Sequence, residues 1–450
     1  MGKLLNFKNK NILALSANLI ISAFSVLMMS LIYRSLNKED VGSWFFFLAI
    51  FGLLDSIRNG LLSTATIKFY AGTDKETGQV VLGSIWYITI FITSVILVIN
   101  VLFYCVSFYF KNEQILNVIH WVGLTLLSNL PSTVAYMKLV ADEDYKRILW
   151  LRLINYGSMV FIILSLLFFK KLNLENLFIL NIATNVFVSL ACILWKINNF
   201  KSIYKRNNET INMIIHFGKY NLGSTLTSYF AGNVNTFLIT FLLGPASLAV
   251  YNLPKRLMEI IELPLRSFVG TGMSSMAIAL NNNKKDEVVY IFKKYTGMLT
   301  FAFIPIVLIG ILFSNVAVNI LGGLKYANTE AGSIFRFFLI FSLLYPFDRF
   351  NGVTLDIIHK PEVNFQKVII MLISNIIGSY FGIVIFKNIY GLVYFSPLVI
   401  ISGILFGYYS LNKFLPHTYK DILVTGWIEI KTISQLTFNK ISFFQNFRNK

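Results

Sequence analysis

Charge is what this sequence has least of. Only 13% of the 450 residues are Asp, Glu, Lys or Arg, while 56% are apolar; soluble domains carry roughly 25% charged residues. So few charges cannot cover a water-exposed surface, which excludes a soluble catalytic domain as the body of the chain. Cysteine is nearly absent. Cys105 and Cys192 both fall inside apolar runs, so a disulfide framework is excluded and both read as small buried apolar side chains. The four histidines, His120, His216, His359 and His417, show no metal-ligand spacing, so no metal and no cofactor is expected. G-x-x-x-x-G-K-[ST], H-E-x-x-H, C-x-x-C and G-x-S-x-G are all missing. That excludes nucleotide hydrolysis through a phosphate loop and the common metal- and serine-dependent hydrolases.

What is present is apolar sequence almost end to end, with a mean hydropathy of +0.66. A membrane-crossing helix needs about 20 apolar residues, because the hydrocarbon layer is roughly 30 Å thick and a helix rises about 1.5 Å per residue. Runs bounded by charge or turn residues lie near 12-33, 43-66, 80-108, 115-137, 148-169, 174-195, 217-243, 249-280, 295-321, 331-357, 366-386 and 391-411. They predict an all-α integral membrane protein of about twelve transmembrane helices. The first run is too long for a signal-peptide core and reads as a retained span.

Lys and Arg concentrate on the cytoplasmic side of membrane proteins. With the basic residues at span ends counted (Arg152, Lys219 and Lys367), the two tails and the even-numbered loops hold 26 of them, and the odd-numbered loops hold 7. Both termini are therefore expected in the cytoplasm. The net charge of +18 follows mostly from this asymmetry and requires no nucleic-acid partner.

The longest polar stretch between spans divides the chain. Expected boundaries are an N-terminal six-helix lobe over 1-196, a cytoplasmic linker over 197-216, a C-terminal six-helix lobe over 217-412 and a basic amphipathic tail over 413-450 with Trp427 at headgroup depth. Six spans per half give the lobes one orientation, related by a pseudo-two-fold along the membrane normal. Asn18, Ser22 and Ser25 in span one and Asn221, Thr225, Ser228 and Asn235 in span seven open each half with a polar stripe. Such stripes either line a cavity or bond helix to helix. One span proline, Pro131, lies in the first half, whereas Pro254, Pro264, Pro305, Pro346 and Pro397 lie in the second, so bending is expected there.

Ionisable residues inside spans face a partner or a hydrated cavity, because a charge at the bilayer centre costs roughly 2.5 to 3.5 kcal/mol on insertion scales. Lys255, Glu259, Glu262 and Arg266 follow each other at steps of four, three and four, which puts them within roughly a 60° arc of one helix. Two i,i+4 pairs, Lys255 with Glu259 and Glu262 with Arg266, could neutralise this stripe internally. Asn252 lies at its outer end and Arg256 beside it. Span two adds Asp55, Arg58 and Asn59, and span ten adds Asp348 and Arg349. The cationic candidates for an anionic substrate are Arg58, Lys255, Arg256, Arg266 and Arg349; Asp55, Glu259, Glu262 and Asp348 are candidates for counter-charge or ion coupling.

Certain segments resemble a known family. Arg34-Ser35-Leu36-Asn37-Lys38-Glu39-Asp40-Val41-Gly42-Ser43-Trp44 is similar to the segment after the first helix of bacterial polysaccharide flippases, and Asp55 with Gly60-Leu61-Leu62-Ser63-Thr64-Ala65 to the segment that follows. In the second half, Leu243-Gly244-Pro245 through Tyr251, Arg256-Leu257 and Leu263-Pro264-Leu265 resemble the seventh and eighth helices. The family belongs to the multidrug, oligosaccharidyl-lipid and polysaccharide exporters. The resemblance implies a two-lobed, non-enzymatic flippase of the bacterial cytoplasmic membrane. Its implied work is to move undecaprenyl-pyrophosphate-linked oligosaccharide units outward by alternating access for O-antigen, lipopolysaccharide or capsule assembly. Protons or sodium ions are its candidate coupling ions, a downstream polymerase is a candidate partner, and a monomer in membrane lipid is expected. Where the family carries an acidic residue late in span seven, Asn235 stands here. The alternatives are a cation-coupled multidrug and toxin extrusion antiporter, which usually needs an acidic residue that span one lacks, and a lipid II flippase, which typically has two more helices.

Overall fold

The computed structural model describes the backbone over residues 10–109 and 112–448 and the side chains of 22–109, 112–432 and Gln435. Apolar sequence decides that the chain is helical, since a segment in hydrocarbon must satisfy its backbone groups internally. Short polar loops decide where each helix begins. Asn37, Asp74, Asn112, Asp144, Asn173, Asn207 and Asn388 each accept a backbone N–H from the first turn that follows, as N-cap residues do. The resulting helices are α1 (Lys10–Ser35), α2 (Lys38–Tyr70), α3 (Lys75–Cys105), α4 (Glu113–Ala141), α5 (Tyr145–Phe168), α6 (Leu174–Leu194), α7 (Asn208–Leu243) and α8 (Pro245–Asn281). Then come α9 (Lys285–Leu312), α10 (Ser314–Gly322), α11 (Ala331–Ser342), α12 (Tyr345–Ile357), α13 (Pro361–Phe386), α14 (Ile389–Asn412) and α15 (Tyr419–Arg448).

Among the described residues, eight helices are individually long and apolar enough to cross a membrane, namely α2, α3, α5, α6, α7, α9, α13 and α14. The pair α11 and α12 makes a ninth, bent by 50°. α1, α4 and α8 occupy the three remaining expected spans. Two expected spans are corrected. Span ten breaks after Ser342, just before Pro346, whereas Pro131, Pro254, Pro264, Pro305 and Pro397 all lie within continuous helices. Span nine ends at Leu312, and 314–322 form the separate helix α10. Cys105, expected to be buried, is exposed at the last residue of α3, and Cys192 is buried.

The chain forms two compact units, residues 1–249 with 321–323, and 250–320 with 324–450. This division falls within α8 and not at the expected 197–216 linker, because α7 packs along α2 in the first unit. The Asn221 amide donates to the Gly60 carbonyl at 2.7 Å and to Thr64 Oγ1 at 3.0 Å, and the Tyr229 hydroxyl donates to the Ala49 carbonyl at 2.6 Å. A Cβ at Gly218 would overlap the Leu61 carbonyl oxygen, so the two backbones meet there as small residues permit. Linker residues are themselves docked: Trp86 Nε1 on α3 donates to the Asn198 carbonyl at 2.9 Å, and the Trp86 ring meets Phe200 edge-on. Phe178 of α6 gathers Trp44 and Phe47 of α2 and Trp121 of α4 around it, with ring centroids 4.8 to 5.7 Å apart. In the second unit Phe292, Phe303, Phe347, Phe350, Leu355 and Leu411 lead the core.

The α2–α7 contact yields a prediction. Gly218→Leu should lower the thermal midpoint of the purified protein in detergent, because overpacking costs about 1–3 kcal/mol and a backbone carbonyl cannot move aside. Gly223, about one and a half turns on, where an added Cβ would meet nothing within 4 Å, should accept alanine with an unchanged or raised midpoint.

Candidate functional site

An ionisable side chain in a spanning helix either closes its charge inside the protein or meets water, and the structure sorts the candidates by that criterion. Arg58 is closed. It is 0% exposed and all five of its N–H groups have acceptors: Asp55 Oδ1 takes Nε at 3.1 Å and Nη2 at 2.5 Å, the Leu126 carbonyl and Thr93 Oγ1 take Nη1 at 3.1 and 3.4 Å, and Asn129 Oδ1 takes Nη2 at 3.4 Å. The second carboxylate oxygen of Asp55 accepts from Asn59 at 2.7 Å. Arg58 was expected to contact substrate; it is instead a brace tying α2 to α3 and α4, with no donor left to offer.

The polar stripes divide in the same way. Asn221 is spent on α2, and Thr225 of α7 packs against Gly60, so these two bond helix to helix. Ser228 is exposed, Ser22, Ser25 and Asn235 are half-buried, and Asn252 is buried in α8. Asn18 lies outside the described side chains.

In the second unit Asp348 is also closed, by a residue that sequence reasoning missed. Lys367 at the start of α13 is buried, and its Nζ donates at 2.8 Å to both Asp348 Oδ1 and the Asp348 carbonyl. The sequence alone assigns Lys367 to the loop; its place one residue inside the apolar run 366–386 is the signal that it needs a buried partner. Glu259 pairs with Arg256 at 2.8 Å, three residues back, so Arg256 is drawn to the stripe from its neighbouring position. Lys255 is half-buried.

Open charge remains around Glu262. Its carboxylate is 13% exposed and receives two guanidiniums from different helices, Arg266 Nη2 at 3.5 Å and Arg349 Nη2 at 3.6 Å, whose side chains are 59% and 53% exposed. The i,i+4 pair expected from spacing is therefore present, and Arg349 of α12 joins it. Two cations share one anion, and the contacts are long, so both guanidiniums keep N–H donors for another acceptor. Beyond Arg266, Ser267, Thr271 and Ser274 are exposed on an arc of α8 turned about 80–140° from Arg266, and Gly270, about 40° from it, has open space above it. Two planar forks with N–H donors to spare suit a phosphate ester.

Residues 31–331 match the family model described as polysaccharide biosynthesis protein. No curated protein shows a significant sequence match. Among solved structures, an inward-facing multidrug resistance MATE transporter of the MOP superfamily aligns with a TM-score of 0.70 and 15% identity over 95% of this chain and 99% of that one. The lipid II flippase MurJ in an inward closed conformation aligns with a TM-score of 0.70 and 16% identity over 95% and 93%. A MOP-superfamily transporter from Pyrococcus furiosus, described as having a binding pocket of reversed polarity, aligns with a TM-score of 0.56 and 16% identity over 90% and 94%. The fold is thus that of the MOP-superfamily transporters, and with the family model covering more than half of its length the chain belongs to the polysaccharide biosynthesis protein family.

Proposed function

We propose that this protein is an alternating-access flippase for lipid-linked oligosaccharide, carrying undecaprenyl-pyrophosphate-linked repeat units across the cytoplasmic membrane toward surface polysaccharide assembly. The observation that carries this reading is the half-exposed pair Arg266 and Arg349 on Glu262, at mid-length of α8. A guanidinium so exposed at that depth needs a hydrated space, and its ligand there is an anion. Pyrophosphate offers acceptors in the bidentate geometry that arginine matches. Asp55, Arg58, Asn59, Asp348 and Lys367 then serve as internal braces, and Arg256 with Glu259 forms a second, electrically neutral pair on the stripe. A cation-coupled drug antiporter fits less well, because a cationic drug would meet two arginines. Protons or sodium ions as the driving ion, and a polymerase that consumes the product, complete the proposal.

Three measurements bear on it. Loss of the protein should leave full-length lipid-linked repeat units inaccessible to reagents added outside intact cells while glycosyl transfer continues. Normal surface polysaccharide in a strain with no second flippase would sink the reading.

Arg266→Gln and Arg349→Gln should each lower surface polysaccharide per folded protein by about 10- to 100-fold, the worth of a charge-assisted contact of roughly 1.5–3 kcal/mol. Exchanging the charges (Glu262→Arg with Arg266→Glu) moves the cation about 6 Å along the helix. Folding should survive the exchange and transport should not; full transport after failure of both single reversals would return the stripe to a structural role.

Orientation is tested separately. Single cysteines at Lys38 and Asn208, in a background lacking Cys105 and Cys192, should react with a membrane-impermeant thiol reagent on intact spheroplasts at 38 and not at 208. The opposite pattern would invert the topology.

A further inference from the structure

Helix α15 is neither a span nor a loose tail. Its entry is fixed at His417, whose backbone N–H donates to Asn412 Oδ1 at 2.7 Å, whose Nδ1 lies 2.7 Å from the Leu415 carbonyl, and whose ring sits between Phe292 and Tyr408. From there α15 crosses α9, where a Cβ at Gly297 would overlap the Ile422 carbonyl and Gly426. The close approach of two glycines leaves the helices little freedom to slide.

The level of this crossing is written in α9. Its first ten residues carry Lys285, Asp286, Glu287, Lys293 and Lys294, and from Tyr295 to Leu312 it carries no charge. Gly297 therefore stands where α9 enters hydrocarbon. Contacts then set which way α15 faces. Asp421 reaches Lys293 at 3.7 Å, and Glu429 reaches Lys294 at 2.5 Å and the Tyr290 hydroxyl, all toward the charged end of α9. Trp427 packs at a tilt against Phe301, toward the apolar end, with centroids 5.4 Å apart.

At about 100° per residue, Leu423, Val424, Trp427, Lys420 and Lys431 share one arc of about 100°, and all five are exposed. Asp421, Thr425, Glu429 and Thr432 share the opposite side. Both acidic residues of the segment after Asn412 are engaged by α9, while that segment also holds Lys413, Lys420, Lys431, Lys440, Arg448 and Lys450. The outward face is thus apolar and cationic at once.

We propose that α15 lies in the plane of the membrane at the end where α9 begins, and that its Lys420–Lys431 face binds anionic phospholipid headgroups. Leu423, Val424 and Trp427 enter the acyl boundary. The two lysines, three turns apart, run their aliphatic stems along it and raise their ammonium groups to lipid phosphate. Docking on α9 supplies the anchor that a single amphipathic helix lacks. The inference does not depend on the substrate proposed above.

The test uses the full-length protein without its native cysteines, carrying an environment-sensitive fluorophore at Val424→Cys or Thr432→Cys, in vesicles of phosphatidylcholine and phosphatidylglycerol. Nitroxide placed near the acyl carbonyl of the lipid should quench the 424 label strongly and the 432 label weakly, and aqueous iodide should do the reverse. Nitroxide phosphatidylglycerol should quench the 424 label at least twofold more than nitroxide phosphatidylcholine. High salt or the variant Lys420→Gln with Lys431→Gln should remove that preference. Iodide reaching 424 as freely as 432 would overturn the interfacial placement. Equal quenching by the two lipids in low salt would overturn the anionic preference.

Discussion

Everything in this fold answers to the cost of an unpaired charge in hydrocarbon. The chain can place an ionisable residue in a span only by meeting all of its hydrogen-bonding needs locally or by opening a path for water. Arg58 takes the first course, with five hydrogen bonds to four acceptor atoms drawn from α2, α3 and α4. Arg266 and Arg349 are each more than half exposed, which on the flippase reading is the second. The same residue type within a helix thus meets opposite surroundings, and the difference lies in the packing around it.

The closed pairs are where each unit gains its definition. Arg58 with Asp55 sits in the first unit, and Lys367 with Asp348 in the second, just past the break between α11 and α12. A buried pair of this kind adds little net stability over a well-packed apolar contact, but removing one partner leaves an uncompensated charge and costs about 3–5 kcal/mol. That asymmetry fixes the register of the helices involved. At the α11–α12 break, Lys367 also takes the Asp348 carbonyl, so the lysine supports backbone as well as charge.

How much of this could be read beforehand follows from what periodicity encodes. Most helix positions were readable to within a few residues, because an apolar run between polar caps has one outcome in hydrocarbon. But α7 and α9 begin nine and ten residues before the expected 217 and 295, since their first turns are charged and polar. The bend was readable as a class, and its location at Pro346 was not, since Pro254 and Pro264 sit in a continuous α8. The charged stripe on α8 was readable because four residues share an arc. What periodicity omits is the neighbour. Spacing shows that Arg58 and Asp55 share a helix face, but not that Leu126 and Asn129 approach from α4 and close the site; nor does it show Arg349 arriving on Glu262 from α12. The allegiance of α7 escaped for the same reason: a hydrophilic connection marks a chain boundary, whereas Gly218, Asn221 and Tyr229 decide what α7 packs against.

Glu262 gives the proposed site a property that arginines alone would lack. A carrier must bind its anion well enough to collect it and weakly enough to release it, so excess affinity in one state is a kinetic trap. Two unopposed guanidiniums would hold pyrophosphate tightly and would also repel each other. A carboxylate between them offsets that repulsion, keeps both forks in place before substrate arrives, and competes with the incoming phosphate oxygens for the same N–H donors. Its contacts at 3.5 and 3.6 Å are longer than an optimal charge-assisted bond of about 2.7–2.9 Å, so the arginines can shift toward a ligand without first breaking a tight pair. The three residues come from two helices, α8 and α12, and the bend between α11 and α12 lies one turn from Arg349. A small change at that bend alters the spacing of Arg349 from Glu262 and Arg266, and with it the affinity for a doubly charged headgroup. On the flippase reading, this is how a change of helix shape in the second unit becomes release of the substrate.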